Sequence, residues 1–220
     1  MATRGILVKK LAEIYDIPVT AVDVADRALS EAGLRTKSTR GRAATQMSAE
    51  DIVSDAIALS GNWGVKGAPP MVARLVEMTL TDGYIQQIAE NDDDQHSQDD
   101  DPAASMGTHL TKSLILSGSP LIPFPRKILQ MKESFGASFA EILRVLNSED
   151  ADEIRGTSVA MIPELLGASI EYRYRHNWFT IRFGSGMEGI SNSNMAECEG
   201  YTKIVLRHRR LVRLAEILKA

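Results

Sequence analysis

Arg35, Lys37, Arg40 and Arg42 lie within one short stretch, "RTKSTRGR", that contains no acid. Cations at this density suit a row of phosphates. Each lysine or arginine that displaces a counterion from a nucleic-acid backbone adds salt-sensitive affinity. In Arg40-Gly41-Arg42 the glycine permits a close approach, and arginine suits the negative potential of a narrow minor groove. A second basic run, "RHRRLVR", places Arg207, Arg209, Arg210 and Arg213 near the C-terminal end. These four form a secondary basic surface that either stays solvated or meets phosphates or a partner's acids. A third stretch, "EYRYRHNWFTIRFG", interleaves Tyr172, Tyr174, Trp178, Phe179 and Phe183 with Arg173, Arg175 and Arg182. Aromatics on a sheet beside cations can stack single-stranded bases. The plainer reading is a half-buried sheet with aromatics inward and arginines outward.

Patterns for other chemistries are missing. His96, His109, His176 and His208 share no metal-ligand spacing with one another or with Cys198. "GNWGVKG" lacks the strand-before-helix context and the terminal Lys-Ser/Thr of a phosphate loop. "FGSGMEG" has the wrong spacing for a nucleophile elbow, and no histidine pairs obviously with Ser185. The expectation is a protein that is not an enzyme, with no cofactor and no metal.

The net charge of −4 conceals an uneven distribution. Residues 1–47 hold eight Lys/Arg against five acids, residues 82–101 hold eight acids and no Lys/Arg, and residues 171–220 hold nine Lys/Arg against five acids. Overall pI is therefore a poor guide to partners. A single cysteine excludes an internal disulfide and fits a reducing compartment. No apolar run approaches the ~20 residues of a membrane helix, and no signal peptide is evident. The expected location is the cytoplasm, away from any membrane.

The elements expected to position these residues are mixed, and the fold class is α+β. Residues 89–105, "AENDDDQHSQDDDPAAS", are too charged to bury and read as an acidic, flexible, disordered linker. They divide an all-helical head, 1–88, from an α+β tail, 106–220. In the head, apolar spacing predicts a helix over 5–16. Thr20 and Asp23 resemble a capping box opening a second helix, whose apolar stripe is Val22, Ala25, Leu29 and Ala32 and which Gly33 closes. Ser48 and Asp51 repeat the cap pattern before a helix that ends at Gly61, and Pro69-Pro70 starts another. In the tail, Phe135, Phe139, Ile142, Leu143 and Leu146 have helical spacing. Alternation over 168–184 predicts a β-hairpin turning at His176-Asn177, and a final strand passes into an amphipathic helix with Leu211, Leu214, Ala215 and Leu218 inward.

Residues 11–44, "LAEIYDIPVTAVDVADRALSEAGLRTKSTRGRAA", resemble the helix-turn-helix and the start of the wing in winged-helix transcription regulators of bacterial or phage type. The resemblance implies that the second helix enters the major groove of double-stranded DNA. Thr20 and Arg27 would face bases, while Arg35, Lys37, Arg40 and Arg42 would hold phosphates. Asp23, Asp26 and Glu31 stand on the presumed outward face beside Arg27, where acids cost affinity for phosphate. One head reads too little DNA for specificity, so a homodimer or higher oligomer is expected, built by the tail or by a protein partner bound there. Two other functions stay open: a phage DNA-packaging or assembly protein that grips DNA as an oligomer, and a protein–protein adaptor without nucleic-acid binding.

Overall fold

The computed structural model describes residues 2–37, 46–88, 107–117, 125, 128–184 and 201–219. The expectations for Arg40, Arg42 and residues 89–105 lie outside these residues. The mixed helix-and-sheet class matches the expectation. The helices are α1 Arg4–Tyr15, α2 Val19–Glu31, α3 Ala49–Ser60, α4 Gly64–Val76, α5 Lys112–Ser117, α6 Phe135–Leu146 and α7 His208–Glu216. The strands are β1 Leu80–Gln87, β2 Thr108–Thr111, β3 Ile154–Ile162, β4 Gly167–Tyr174, β5 Asn177–Phe183 and β6 Ile204–Arg207.

Helix ends follow local chemistry. α1 stops at Asp16, held left-handed at φ 54°, and the turn through Ile17 leads into α2. α2 starts two residues earlier than the Thr20 cap implies, with Pro18 at the N-cap. The Pro18 carbonyl accepts from Ala21 N–H at 2.9 Å and Val22 N–H at 3.3 Å, so Thr20 already lies inside the helix. Gly33 closes α2 as expected, at φ 77°, and Leu34 N–H donates to Leu29 O at 2.9 Å. Ser48 and Asp51 form the expected reciprocal capping box on α3. α4 starts at Gly64 and runs through Pro69 and Pro70 rather than opening at them.

The six strands form one antiparallel sheet in the order β2-β1-β5-β4-β3-β6. The predicted hairpin is β4–β5, with its turn at Arg175-His176, and Arg175 adopts φ 55°. Ile170, Tyr172, Phe179, Ile181 and Phe183 are buried on one sheet face, where Tyr172 stacks on Phe179 at 5.0 Å. Phe135 at the start of α6 meets Phe183 edge-on at 5.5 Å. The aromatics of this hairpin are thus mostly core, with Trp178 on the other face. A bulge in β3 puts Gly156 at φ 57°, and a Cβ there would come within 3.0 Å of the Trp178 ring.

The all-helical head was an incomplete expectation. β1, from residues 80–87, pairs with both β2 and β5, so segments on either side of 89–105 share the sheet. The buried apolar residues, from Ala2 through Leu80 and Phe135 to Ile217, likewise form one continuous core. "LTDGYIQQ" is poor in strand formers at Asp82 and Gly83, and its main partner is remote in sequence. Pairing rather than propensity makes it a strand.

Phe135→Ala should lower the unfolding free energy by about 3–5 kcal/mol, measured by urea titration. Because helices and sheet share one core, far- and near-ultraviolet circular dichroism should report coincident transitions. Two separated transitions would count against the shared core.

Candidate nucleic-acid interface

The sequence places Asp26 on the outward face of α2, but the structure buries it. Val22, Asp26 and Leu29 form the inward stripe, at i, i+4 and i+7, and each is fully buried. A carboxylate taken out of water needs paired charge and hydrogen bonds. Asp26 receives them from two sides. Arg4 donates its Nε–H to Asp26 Oδ2 at 2.7 Å, and Arg35 donates Nη2–H to the same oxygen at 3.1 Å, with its Nε 2.5 Å from Oδ1. The side chain of Arg35 is only 1% exposed. It also donates to Thr36 O and to Met47 Sδ, both at 3.0 Å. Arg35 is therefore a core ion-pair partner, and the expectation that it holds a phosphate is corrected.

The burial of Arg35 ties down the chain on both sides of residues 38–45. Thr36 N–H donates to Asp51 Oδ1 at 2.6 Å, while Asp51 Oδ2 accepts from Ser48 N–H at 2.8 Å. One carboxylate thus caps α3 and fixes the exit from α2. At the far end Gln46 bridges Thr3, and Met47 N–H donates to Ala2 O at 3.0 Å. Lys37 is exposed beside this anchor. Arg40 and Arg42 lie between the two anchors in sequence.

The outward face of α2 carries Thr20, Val24 and Arg27 at i, i+4 and i+7, all exposed. Val24 is 45% exposed. Asp23 beside this stripe is engaged by Arg4 Nη2 at 2.6 Å and by Arg27 Nη2 at 2.7 Å. Of the acids expected on this face, Asp26 faces inward and Asp23 is paired with two cations. Glu31, in the last turn, is exposed.

The second basic run divides. Arg207 belongs to β6 and pairs across from Ser158, whereas Arg209, Arg210 and Arg213 lie on α7 and are exposed. Leu211, Leu214 and Ala215 face inward as expected. α7 packs beside α1: the Arg210 guanidinium sits 5.2 Å from the Tyr15 ring centroid, and Arg213 Nη2–H donates to Glu13 O at 3.2 Å. Tyr15 is held by Ala56 O at 3.0 Å and Ser60 Oγ at 3.2 Å, and burial pushes its hydroxyl up to about 12. Burial also lowers His208.

No protein-family model matches the chain, and no curated protein or solved structure matches it significantly. Among the described residues no group of three or more His, Cys, Asp or Glu is placed to hold a metal ion. No helix there is long and apolar enough to cross a membrane.

Two groups escaped the sequence reading. Asp55, on α3, is 1% exposed, and its Oδ2 finds no hydrogen-bond partner among the described residues. Burial raises it well above the usual carboxylate range; Asp26 and Asp51 push the same way, and Arg35 and Arg4 oppose them. Its signal is an acid within the buried "IVSDAIA" of α3. The other group spans the sheet. Arg182 donates to both Asp82 oxygens at 2.7 Å and lies 4.5 Å from the Tyr84 ring centroid, and His109 Nε2 is 3.3 Å from Asp82 Oδ2. Only strand pairing brings these four residues together.

Asp26→Leu, which strands the buried Arg35 charge, should cost about 3–5 kcal/mol of stability. Asp26→Leu with Arg35→Met should recover much of that loss, and a double-mutant cycle in urea measures the coupling; additive losses would dissolve the pair. Asp55 gives a pH test. The folded chain holds a proton there that the unfolded chain releases, so this carboxyl costs stability as pH rises above its ordinary range. Asp55→Asn should be more stable than the parent at neutral pH, and its advantage should shrink on acidification. A difference independent of pH would rule this out.

Proposed function

We propose that the protein is a sequence-specific DNA-binding regulator that docks through α2 and the cationic segment following it. One observation carries this reading: the ion pairs around α2 draw Asp23 and Asp26 to protein cations, while Thr20, Val24 and Arg27 stay exposed as one stripe. Asp26 no longer opposes a phosphate, and Asp23 does so only weakly. The stripe has the chemistry of major-groove readers. Arginine donates to guanine, threonine serves either base type, and small apolar groups meet the thymine methyl.

In this reading Lys37, Arg40 and Arg42 hold phosphates, and Arg35 holds the segment in place from below. A single stripe covers few base pairs, so a homodimer or higher oligomer supplies the remaining specificity. The exposed Val19 and Val65, at 48% and 47%, are apolar positions such an assembly can use.

The test is a mobility shift on random and genomic duplex DNA across a salt series. The parent should bind with an affinity that falls steeply with salt, and some genomic fragment should survive the highest salt. Lys37→Ala should weaken binding to every sequence and reduce the salt slope by about one unit. Arg27→Ala should instead erase the preference for the surviving fragment by about 1–3 kcal/mol. Absence of binding at low salt would reject the reading in favour of a protein–protein adaptor. Binding without sequence preference, in particles of many copies by native mass measurement, would point to a packaging protein.

A further inference from the structure

We propose that the exposed face of α7, with the adjoining side of α1, is a second phosphate-binding track for the same duplex; this rests on the DNA-binding reading of α2. The two surfaces come from opposite ends of the chain. Arg213 is anchored on the Glu13 carbonyl, Arg210 lies over Tyr15, and a groove of 330 Å³ opens where α1 meets the end of the chain. Lys10, Arg213 and Lys219 line it over Ile14 and Ile217, with Glu13 and Glu216 as its two acids. Arg209 extends the cationic side along α7.

Three features favour a phosphate backbone. First, cations outnumber acids on this face, and Glu13 is already engaged by Lys10 at 3.2 Å. Second, Arg210 and Arg213 are held by a ring and a carbonyl, so their guanidinium groups lose less freedom on meeting an anion. Third, α1 packs against both α2 and α7. Neighbouring helices lie about 8–10 Å apart, and α1 is such a neighbour to each of the two. The major groove is about 12 Å wide. With α2 in that groove, the second track would take the flanking backbone of the same molecule.

The experiment measures fluorescence anisotropy of a labelled random-sequence duplex with the full chain across a salt series. Arg209→Ala with Arg213→Ala should make the slope of log affinity against log salt shallower by about two units, near 0.9 per lost phosphate contact. The charge-keeping pair, Arg209→Lys with Arg213→Lys, should retain most of the parent slope. A parent that binds steeply while the alanine pair keeps its slope overturns the second track and leaves α2 binding intact. Equal affinity loss at every salt concentration also overturns it, since the lost contact was then not ionic. A parent that fails to bind removes both readings together.

Discussion

A buried carboxylate at the centre of α2 organises the helical half of this protein. Asp26 occupies the position of the inward stripe where an apolar residue would ordinarily sit. Once there, it requires cations, and the chain supplies them from both directions: Arg4 from the first turn of α1 and Arg35 from beyond the end of α2. The second pairing bends the chain back under the helix that precedes it. Gly33 makes this possible, since its positive φ ends α2 and turns the backbone toward Asp26 within two residues. Thr36 then meets Asp51, so the cap of α3 and the exit of α2 share one side chain. The placement of Thr36 and Lys37 just beyond α2 is thus a consequence of electrostatics in the core.

The same core extends into the sheet without a break. α6 is the element that joins the two: its Phe135 packs on Phe183, while Gly136 lies against Val76 of α4, where a Cβ would come within 2.7 Å of the valine Cβ. Glycine at this point lets two helices approach more closely than any other residue permits. α7 completes the arrangement from the far end of the chain, packing on α6, β3 and α1. A surface built on α1 and α7 is therefore backed by rigid elements on both sides, which is what pre-positioned guanidinium groups require.

What the sequence made legible follows from how local each signal is. Periodicity located α1 within a residue and marked the inward faces of α6 and α7, because burying one face of a helix leaves its trace inside a dozen residues. Alternation located β4 and β5 for the same reason, and the Ser48 cap was visible in four letters. β1 and β2 were hidden because their strand character comes from pairing with distant segments, not from their own composition. The misplacement of Asp26 has a different origin. Charged residues are assigned outward by default, and the rule fails where a helix stripe is closed by an acid whose partners lie elsewhere. Val22 and Leu29, with an acid four residues after one and three before the other, contained that information. A narrow stripe with a carboxylate at its centre signals a buried ion pair, and the arginine nearest past the helix end is its natural partner.

That distinction changes how the cations of this chain are counted. Arginine suits a buried pair and a phosphate for the same reasons: a permanent charge, a planar fork and weak hydration. Composition cannot separate the two uses, and a tally of Arg35 with Lys37 treats a core residue as a surface one. The separation comes from the acids. Asp26 sits at 0% side-chain exposure and claims Arg35, at 1%, whereas Arg27, at 66%, spans Asp23 on the surface and remains accessible. Asp26, drawn inward, takes Arg35 from the surface and removes one repulsive charge from the face of α2. The exchange is neutral in net charge but not in where the field points. Buried pairs fix the scaffold, and Arg27 and Lys37 are left exposed on it.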